Sequence, residues 1–324
     1  MKKIIYTVLA IVAVACSPKA PALDPEVEVG PYTVTNISSG IYHIQDYNST
    51  NPAGEAFDAE GNKTHFNNCS DMYLLVGQND ALLVDLSNRI RWADNAEESL
   101  RGLVAERIGD KPLTITFTHN HGDHTGMLPA YIEDPDVKFA LPRKDFEYLI
   151  TRFPDINYEM YDDGKKFDLG GMSLTAVEVP GHTAGSMVFF VDGKDLLLSG
   201  DAIGSGHGVW IFDLQAYKNY IGGVENLMSY INNPANGINK EMLKIYGGHF
   251  WQKDWFPELG DDVFGMGYID DMVELIGMIN DGTAATEPSN LDHRTIDTYF
   301  RNGQAIVAWN AAFAEEFRAE SQNQ

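Results

Sequence analysis

Cysteine is almost missing from this chain: Cys16 and Cys69 are the two in 324 residues. Cys16 ends an apolar leader, so the body of the chain holds one thiol and cannot form an internal disulfide. Cys69, in the stretch NNCSDMY, has no basic neighbour to lower its pKa. It reads as a small buried hydrophobe rather than a reactive thiol. Basic residues are scarce too. Lys and Arg number 23 against 47 Asp and Glu, a formal charge of −24. A surface of that sign repels phosphate backbones, so nucleic acid is not expected as a partner. No apolar run reaches the ~20 residues of a membrane-spanning helix, no Gly-x-Ser-x-Gly element offers a serine nucleophile, and no internal repeat is visible between residues 31 and 313.

What is present suits a globular domain, with 44% hydrophobic residues over a length that can bury a core. The chain opens with Lys2 and Lys3, an apolar run from Ile4 to Ala15, and small residues leading to Cys16, the pattern of an export signal. AVAC at 13 to 16 resembles the bacterial lipoprotein signal. That resemblance implies a lipid on Cys16 and an exported, membrane-anchored lipoprotein, and Ser17 points to the outer membrane facing the periplasm. The expected division is 1–15 signal peptide, 16–30 a Pro-containing flexible tether, 31–313 one domain, and 314–324 a C-terminal tail.

Inside that domain, alternating segments such as YTVTNI and IYHIQDY, and the pair DMYLLVG and ALLVDLS around Gln78-Asn79-Asp80, predict strands and hairpins. Helical spacing predicts helices over 91–107, from about 124, over 143–152, 214–231 and 262–281, the last stopped by Gly282. Two closing strands flank Asn302-Gly303. Met272 falls on the apolar face of the 262–281 helix and reads as core.

Three of the nine histidines and an aspartate crowd into THNHGDHTG, residues 118–126. LTITFT delivers His119 and His121 to the end of a strand, where alternate residues point the same way and can grip one metal ion. Asp123 and His124, around the turn at Gly122, can face a second. Imidazole with carboxylate suits zinc and similar divalent ions. The remaining ligands should also stand at strand ends. His182 (VPGHTAGS), Asp201 (LLLSGDA) and His249 (KIYGGHF) meet that condition. His43, His65 and His293 read as structural or solvated. His207, in a glycine-rich loop, has a reading as a substrate contact, and so has Trp251; Phe250, Trp251, Trp255 and Tyr268 are equally readable as core. Residues 47–70 read either as a lid or as a solvated loop.

His119, His121, Asp123, His124, His182, Asp201 and His249, in this order, resemble the metallo-β-lactamase superfamily, and the likeness runs over nearly all of 31–313. The resemblance implies an α/β fold, an αββα sandwich of two mixed β-sheets flanked by helices. It implies that His119, His121 and His182 bind one metal, that Asp123, His124 and His249 bind another, and that Asp201 bridges them. Asp85, at the end of LLVDLS, would support the ligands rather than join them. Two Zn²⁺, or iron or manganese in their place, would supply hydroxide at neutral pH to attack a carbonyl or phosphoryl centre, and Asp123 could carry the proton as a catalytic group. The bridging Asp201 resembles glyoxalase II thioesterases and lactonases more than β-lactamases proper. The expectation is a binuclear hydrolase of a small-molecule ester, lactone or thioester. Phosphodiesterase or β-lactamase activity, or a non-catalytic metal-binding lipoprotein, are the alternatives.

Overall fold

A computed structural model describes residues 27–46, 56–57, 63–65, 70–91, 93–152, 156–206, 208–249, 259 and 263–322. Alternation in its central strands decides how the layers stack. In Asp71–Val76, Leu74 turns to one side while Tyr73 and Leu75 turn to the other; in Ala81–Val84, Leu83 and the pair Leu82 and Val84 divide the same way. All are buried, so both faces of the sheet must be covered.

An eight-stranded sheet runs in the order Val27–Val29, Tyr32–Ser38, Ile41–Gln45, Asp71–Val76, Ala81–Val84, Leu113–Thr116, Lys138–Pro142, Tyr158–Tyr161. A five-stranded sheet follows as Lys166–Asp168, Ser173–Glu178, Met187–Val191, Leu196–Gly200, Lys244–Gly247. Each mixes parallel and antiparallel pairs. The helices are α1 (Ala96–Ile108), α2 (Gly122–Thr125), α3 (Arg143–Phe146), α4 (Leu214–Asn232), α5 (Met266–Asp281) and α6 (Ala311–Ser321). Ile41, Tyr73, Leu82 and Val84 of the first sheet meet Leu174, Phe189 and Leu198 of the second. Leu100, Leu103 and Val104 of α1 cover the first sheet's outer face, and Tyr217, Tyr220, Val224 and Leu227 of α4 cover the second's. The result is the αββα sandwich.

A third, four-stranded sheet is an addition to that plan: Val209–Trp210, Ala305–Trp309, Ile296–Asn302 and Ala285–His293. It joins the α4 core, where Trp309 stacks on Tyr217 with centroids 4.2 Å apart. Its strand Ala285–His293 carries no apolar alternation and includes Pro288, which an edge strand tolerates. The closing hairpin forms as expected around Asn302-Gly303, and Gly282, at φ +74°, caps α5.

Several boundaries move. Val27–Val29 pairs with Tyr32–Ser38, so the expected tether is already sheet by residue 27. The expected C-terminal tail is instead largely α6, which seats Ala314, Phe313 and Phe317 on the core. The helix expected from 124 is the single turn α2 followed by a short 3₁₀ turn at Leu128–Ala130, where Pro129 has no N–H to continue an α-helix. The helix expected over 143–152 is α3 and a separate turn at Ile150–Arg152. Of the expected lid, only the hairpin Ala56–Phe57 with Lys63–His65, and Ser70, lie among the described residues.

Phe189 is fully buried between the sheets. Phe189→Ala is expected to cost about 3–5 kcal/mol, read as a lower urea midpoint with an unchanged slope.

Candidate metal centre

Parallel pairing sets two of the site residues side by side. Leu196–Gly200 and Lys244–Gly247 run together to the same edge, with Gly200 opposite Gly247, so Asp201 and His249 emerge next to each other. Gly248 donates its N–H to Gly200 O at 2.8 Å. Leu113–Thr116 ends at the same edge and leads through Phe117 and Thr118 to His119. His121 holds extended backbone, and its carbonyl receives the N–H groups of His124 and Thr125, both at 3.1 Å, which starts α2 and turns Asp123 and His124 back towards the strand ends. His182 arrives from the loop after Ser173–Glu178, where Gly181, at φ +143°, packs so closely on Tyr220 that a Cβ would clash.

The seven residues gather into two adjoining groups. One nitrogen each from His119, His121 and His182 lie within 4.8 Å of one another, and so do ligand atoms of Asp123, His124, Asp201 and His249. Asp201 stands between the groups: Oδ2 is 3.4 Å from His182 Nε2 and 3.3 Å from His249 Nε2, and Oδ1 is 3.4 Å from His124 Nε2. Asp123 Oδ2 is 3.3 Å from His249 Nε2.

The imidazoles are aimed by their second nitrogens. His124 Nδ1 lies 2.9 Å from Asp85 Oδ2, and His182 Nδ1 donates to Trp210 O at 3.0 Å. Thr118 gives its hydroxyl to Asp85 Oδ2 at 2.7 Å, so its oxygen accepts from His119 Nδ1 at 3.0 Å. Each Nε2 is thereby left to face the site. Asp85 also accepts Thr118 N–H at 2.7 Å and is almost wholly buried.

A cation fits these residues. His119 Nε2 is buried and has no hydrogen-bond partner among the described residues, a cost that a bound ion removes. His182 Nε2 and His121 Nδ1 face each other at 2.9 Å, a pair of lone pairs that needs a proton or a cation between them. Charge divides the groups. Burial, helped by neighbouring histidines, holds His119 well below the usual imidazole range, and burial pushes His182 down to about 4. These are neutral ligands in waiting. At His124 and His249 burial acts in the same direction, but the carboxylates outweigh it and hold both well above the usual range, Asp201 foremost. Burial would raise Asp201, yet His249 and His124 hold it well below.

Three contributors have no signal in the sequence pattern. Asp145, buried on α3, accepts from Asn120 N (3.1 Å), Thr183 Oγ1 (2.6 Å) and Gly185 N (2.7 Å), tying the loop of His119 and His121 to that of His182. Ser205 Oγ donates to Asp201 Oδ1 at 3.0 Å. His293, read from sequence as structural or solvated, instead lines the pocket over the site with Trp210 and Phe212. His43 is structural, stacked on Tyr73 with centroids 5.0 Å apart and 3.2 Å from Asp71. Tyr268 is buried core against Phe264. His207, Phe250, Trp251, Trp255 and Cys69 lie outside the described residues.

An αββα sandwich with a three-histidine group and a histidine–aspartate group meeting at Asp201 defines a class of metal-site domain. The chain belongs to the metallo-beta-lactamase superfamily, whose family profile matches residues 70–266. It is 28% identical over 194 residues to an atrochrysone carboxyl ACP thioesterase of Aspergillus chevalieri, covering 58% of this chain and 54% of that protein. It is 30% identical over 131 residues to a lactamase-like protein of Aspergillus niger, covering 40% and 38%. The chain thus spans about half the length, or less, of these curated relatives. Among solved structures, a metallo-beta-lactamase from Erythrobacter litoralis shares the fold with a TM-score of 0.53 and 16% identity, over 78% of this chain and 99% of that one. One from Pontibacter korlensis has a TM-score of 0.53 and 15% identity, over 76% and 99%.

The relatives correct one expectation. Placement as an exported bacterial lipoprotein of the outer membrane or periplasm is overturned, because the matched curated proteins are fungal, named as ACP thioesterases and lactamase-like proteins. Among the described residues no helix is long and apolar enough to cross a membrane.

A Cβ on Gly248 would collide with Asp201 Oδ1 and His124 Cε1. Gly248→Ala is expected to lower bound metal after dialysis against zinc, with little change in far-UV circular dichroism; wild-type metal content in the variant would contradict this geometry. Asp85→Asn keeps a residue that tolerates left-handed backbone, which Asp85 adopts at φ +65°, but replaces one acceptor oxygen by a donor. Metal affinity is expected to fall about 10- to 100-fold, measured by chelator competition.

Proposed function

We propose that the chain is a metal-dependent hydrolase that cleaves a carbonyl ester or thioester of a small molecule. The observation that carries this reading is the pair of groups joined at Asp201 beneath a cavity of about 330 Å³. His119, His121 and His182 would hold one ion; Asp123, His124 and His249 would hold the other; Asp201 would serve both, and zinc suits this donor set, with iron or manganese as alternatives. Bound there, such ions supply hydroxide at neutral pH and offset negative charge developing on the substrate oxygen. The names of the thioesterase relatives favour a thioester over a phosphodiester or β-lactam.

The chain's own residues position the reactants. Asp145 locks two ligand loops together, so the facing nitrogens of His121 and His182 hold their spacing. Asp123 is half-buried beside His249; burial would raise its carboxyl, but His124 and His249 hold it low and ionised. Beside a bound water, Asp123 would serve as the acceptor that takes up a proton and returns it. Trp210 and Phe212 shield one side of the pocket from solvent.

His182→Ala is expected to reduce turnover of a thioester and lactone panel by more than about 100-fold, since even partners one step removed from a metal cost 10- to 100-fold. Full activity in that variant would remove the mechanism. Metal uptake should also depend on pH. Binding at the second group displaces protons from His124 and His249, whose pKa values are raised, so affinity there climbs as pH rises; the first group, already neutral, has no such dependence near pH 7. Zinc titrations by calorimetry between pH 6 and 8 should show two equivalents, of which only one tightens strongly with pH.

A further inference from the structure

One wall of the pocket is aromatic and belongs to neither ligand group. Trp210 and Phe212 stand with ring centroids 6.5 Å apart, and His293 lies 5.2 Å from Phe212 and 6.4 Å from Trp210. Phe212 in turn meets His182 at 5.5 Å and His121 at 5.8 Å, so the wall runs directly from the candidate metal ligands outward.

His293 reaches this place from the far end of the chain. It closes the strand Ala285–His293 and pairs with Ile296 across the two-residue turn Arg294-Thr295, at the tip of a hairpin of the third sheet. That turn fixes its chemistry. Thr295 N–H points at His293 Nδ1 at 3.3 Å, with Thr295 Oγ1 at 3.0 Å. A backbone N–H can only donate, so Nδ1 is the acceptor and the neutral imidazole carries its proton on Nε2. Nε2–H has no partner among the described residues, and the ring borders the pocket.

We propose that Trp210, Phe212 and His293 form an acyl-side subsite for a planar aromatic acyl group bearing a ring hydroxyl or keto oxygen, with Nε2–H of His293 donating to that oxygen. The subsite rests on the hydrolase reading only for which end of the substrate it takes. Flat rings at mutually inclined angles accept another ring face or edge. A saturated chain would fill the same space but leave Nε2–H desolvated and unpaired, which is unfavourable. His293 holds no metal in this scheme: Nδ1 is engaged by Thr295, and the residue lies outside both ligand groups. It is the substrate's hydrogen-bond donor.

The test uses the zinc-loaded full chain and neutral amides, which do not compete as anions for the metals: 6-hydroxy-2-naphthamide, 2-naphthamide and octanamide, with binding followed by tryptophan quenching and calorimetry. The hydroxynaphthamide is expected to bind most tightly and octanamide least. His293→Leu should weaken the hydroxynaphthamide about tenfold, the effect of one hydrogen bond, and leave 2-naphthamide within about twofold; His293→Gln should restore most of the loss. Trp210→Leu should weaken both aromatic amides while keeping the backbone carbonyl that orients His182. Octanamide binding as tightly as the naphthamides, hydroxynaphthamide binding unchanged in His293→Leu, or no binding of any probe would each overturn the subsite. Turnover of the corresponding thioesters separates the two readings. Aromatic amides that bind as expected without any thioester being cleaved would leave the subsite and remove the hydrolase. Octanoyl and hydroxynaphthoyl thioesters cleaved with equal kcat/KM would do the reverse.

Discussion

One carboxylate holds the centre in register. Asp85 takes Thr118 N–H and Thr118 Oγ1 on its two oxygens and lies against His124 Nδ1. Through Thr118 it sets the ring of His119, and directly it sets the ring of His124, so one side chain from the first sheet aims a ligand in each group. Its backbone sits at φ +65°, a conformation that costs little for aspartate and more for most residues. The neighbouring Asp85 N–H to Thr116 O bond at 2.9 Å ties the same turn to the next strand. A buried carboxylate is tolerable only when its oxygens are satisfied, and here the satisfaction and the aiming are the same bonds.

The two groups differ because of where the other acids fall. Asp145 binds two loops through backbone and hydroxyl donors and stays outside the ligand atoms, while burial holds the three histidines of those loops below the usual imidazole range. Asp123 and Asp201 lie among the ligand atoms, so His124 and His249 carry charge until a cation displaces their protons. Asp201 touches both sets, and Ser205 fixes one of its oxygens. Steric closure completes the arrangement: Gly248 and Gly200 pass so near Asp201 and Thr118 that neither has room for a side chain. The site is thus rigid through backbone contacts as well as hydrogen bonds.

Much of this was legible in the sequence because strand ends leave a local mark. His119, His121, His182, Asp201 and His249 each follow an apolar segment and stand near a glycine, and the structure gathers them at one edge. Asp85 was readable only through the family likeness. Asp145, Ser205 and His293 were not readable, since each acts through a partner distant in the chain: Asp145 lies 38 residues from Thr183, and His293 meets the pocket through a hairpin whose polar edge strand lacks periodicity. The placement drawn from the leader was overturned for a related reason. A short apolar run behind two lysines fits an export signal by composition alone, whereas the relatives speak through the folded domain.

Charge then limits how substrate can be held. The chain carries −24 overall, and at physiological salt such a field extends only about 8 Å before it is screened. Within that range it repels carboxylates and phosphates, while the histidine–aspartate groups draw cations. An anionic substrate therefore gains nothing from long-range steering, and binding must come from contact. Among the described residues, the surface beside the ligands includes the Trp210, Phe212 and His293 wall, which carries no lysine or arginine. Under the proposed reading, a neutral acyl group fits that wall. The aromatic wall would thus take an uncharged acyl group by contact, while the acidic surface gives an anionic one no steering towards the site.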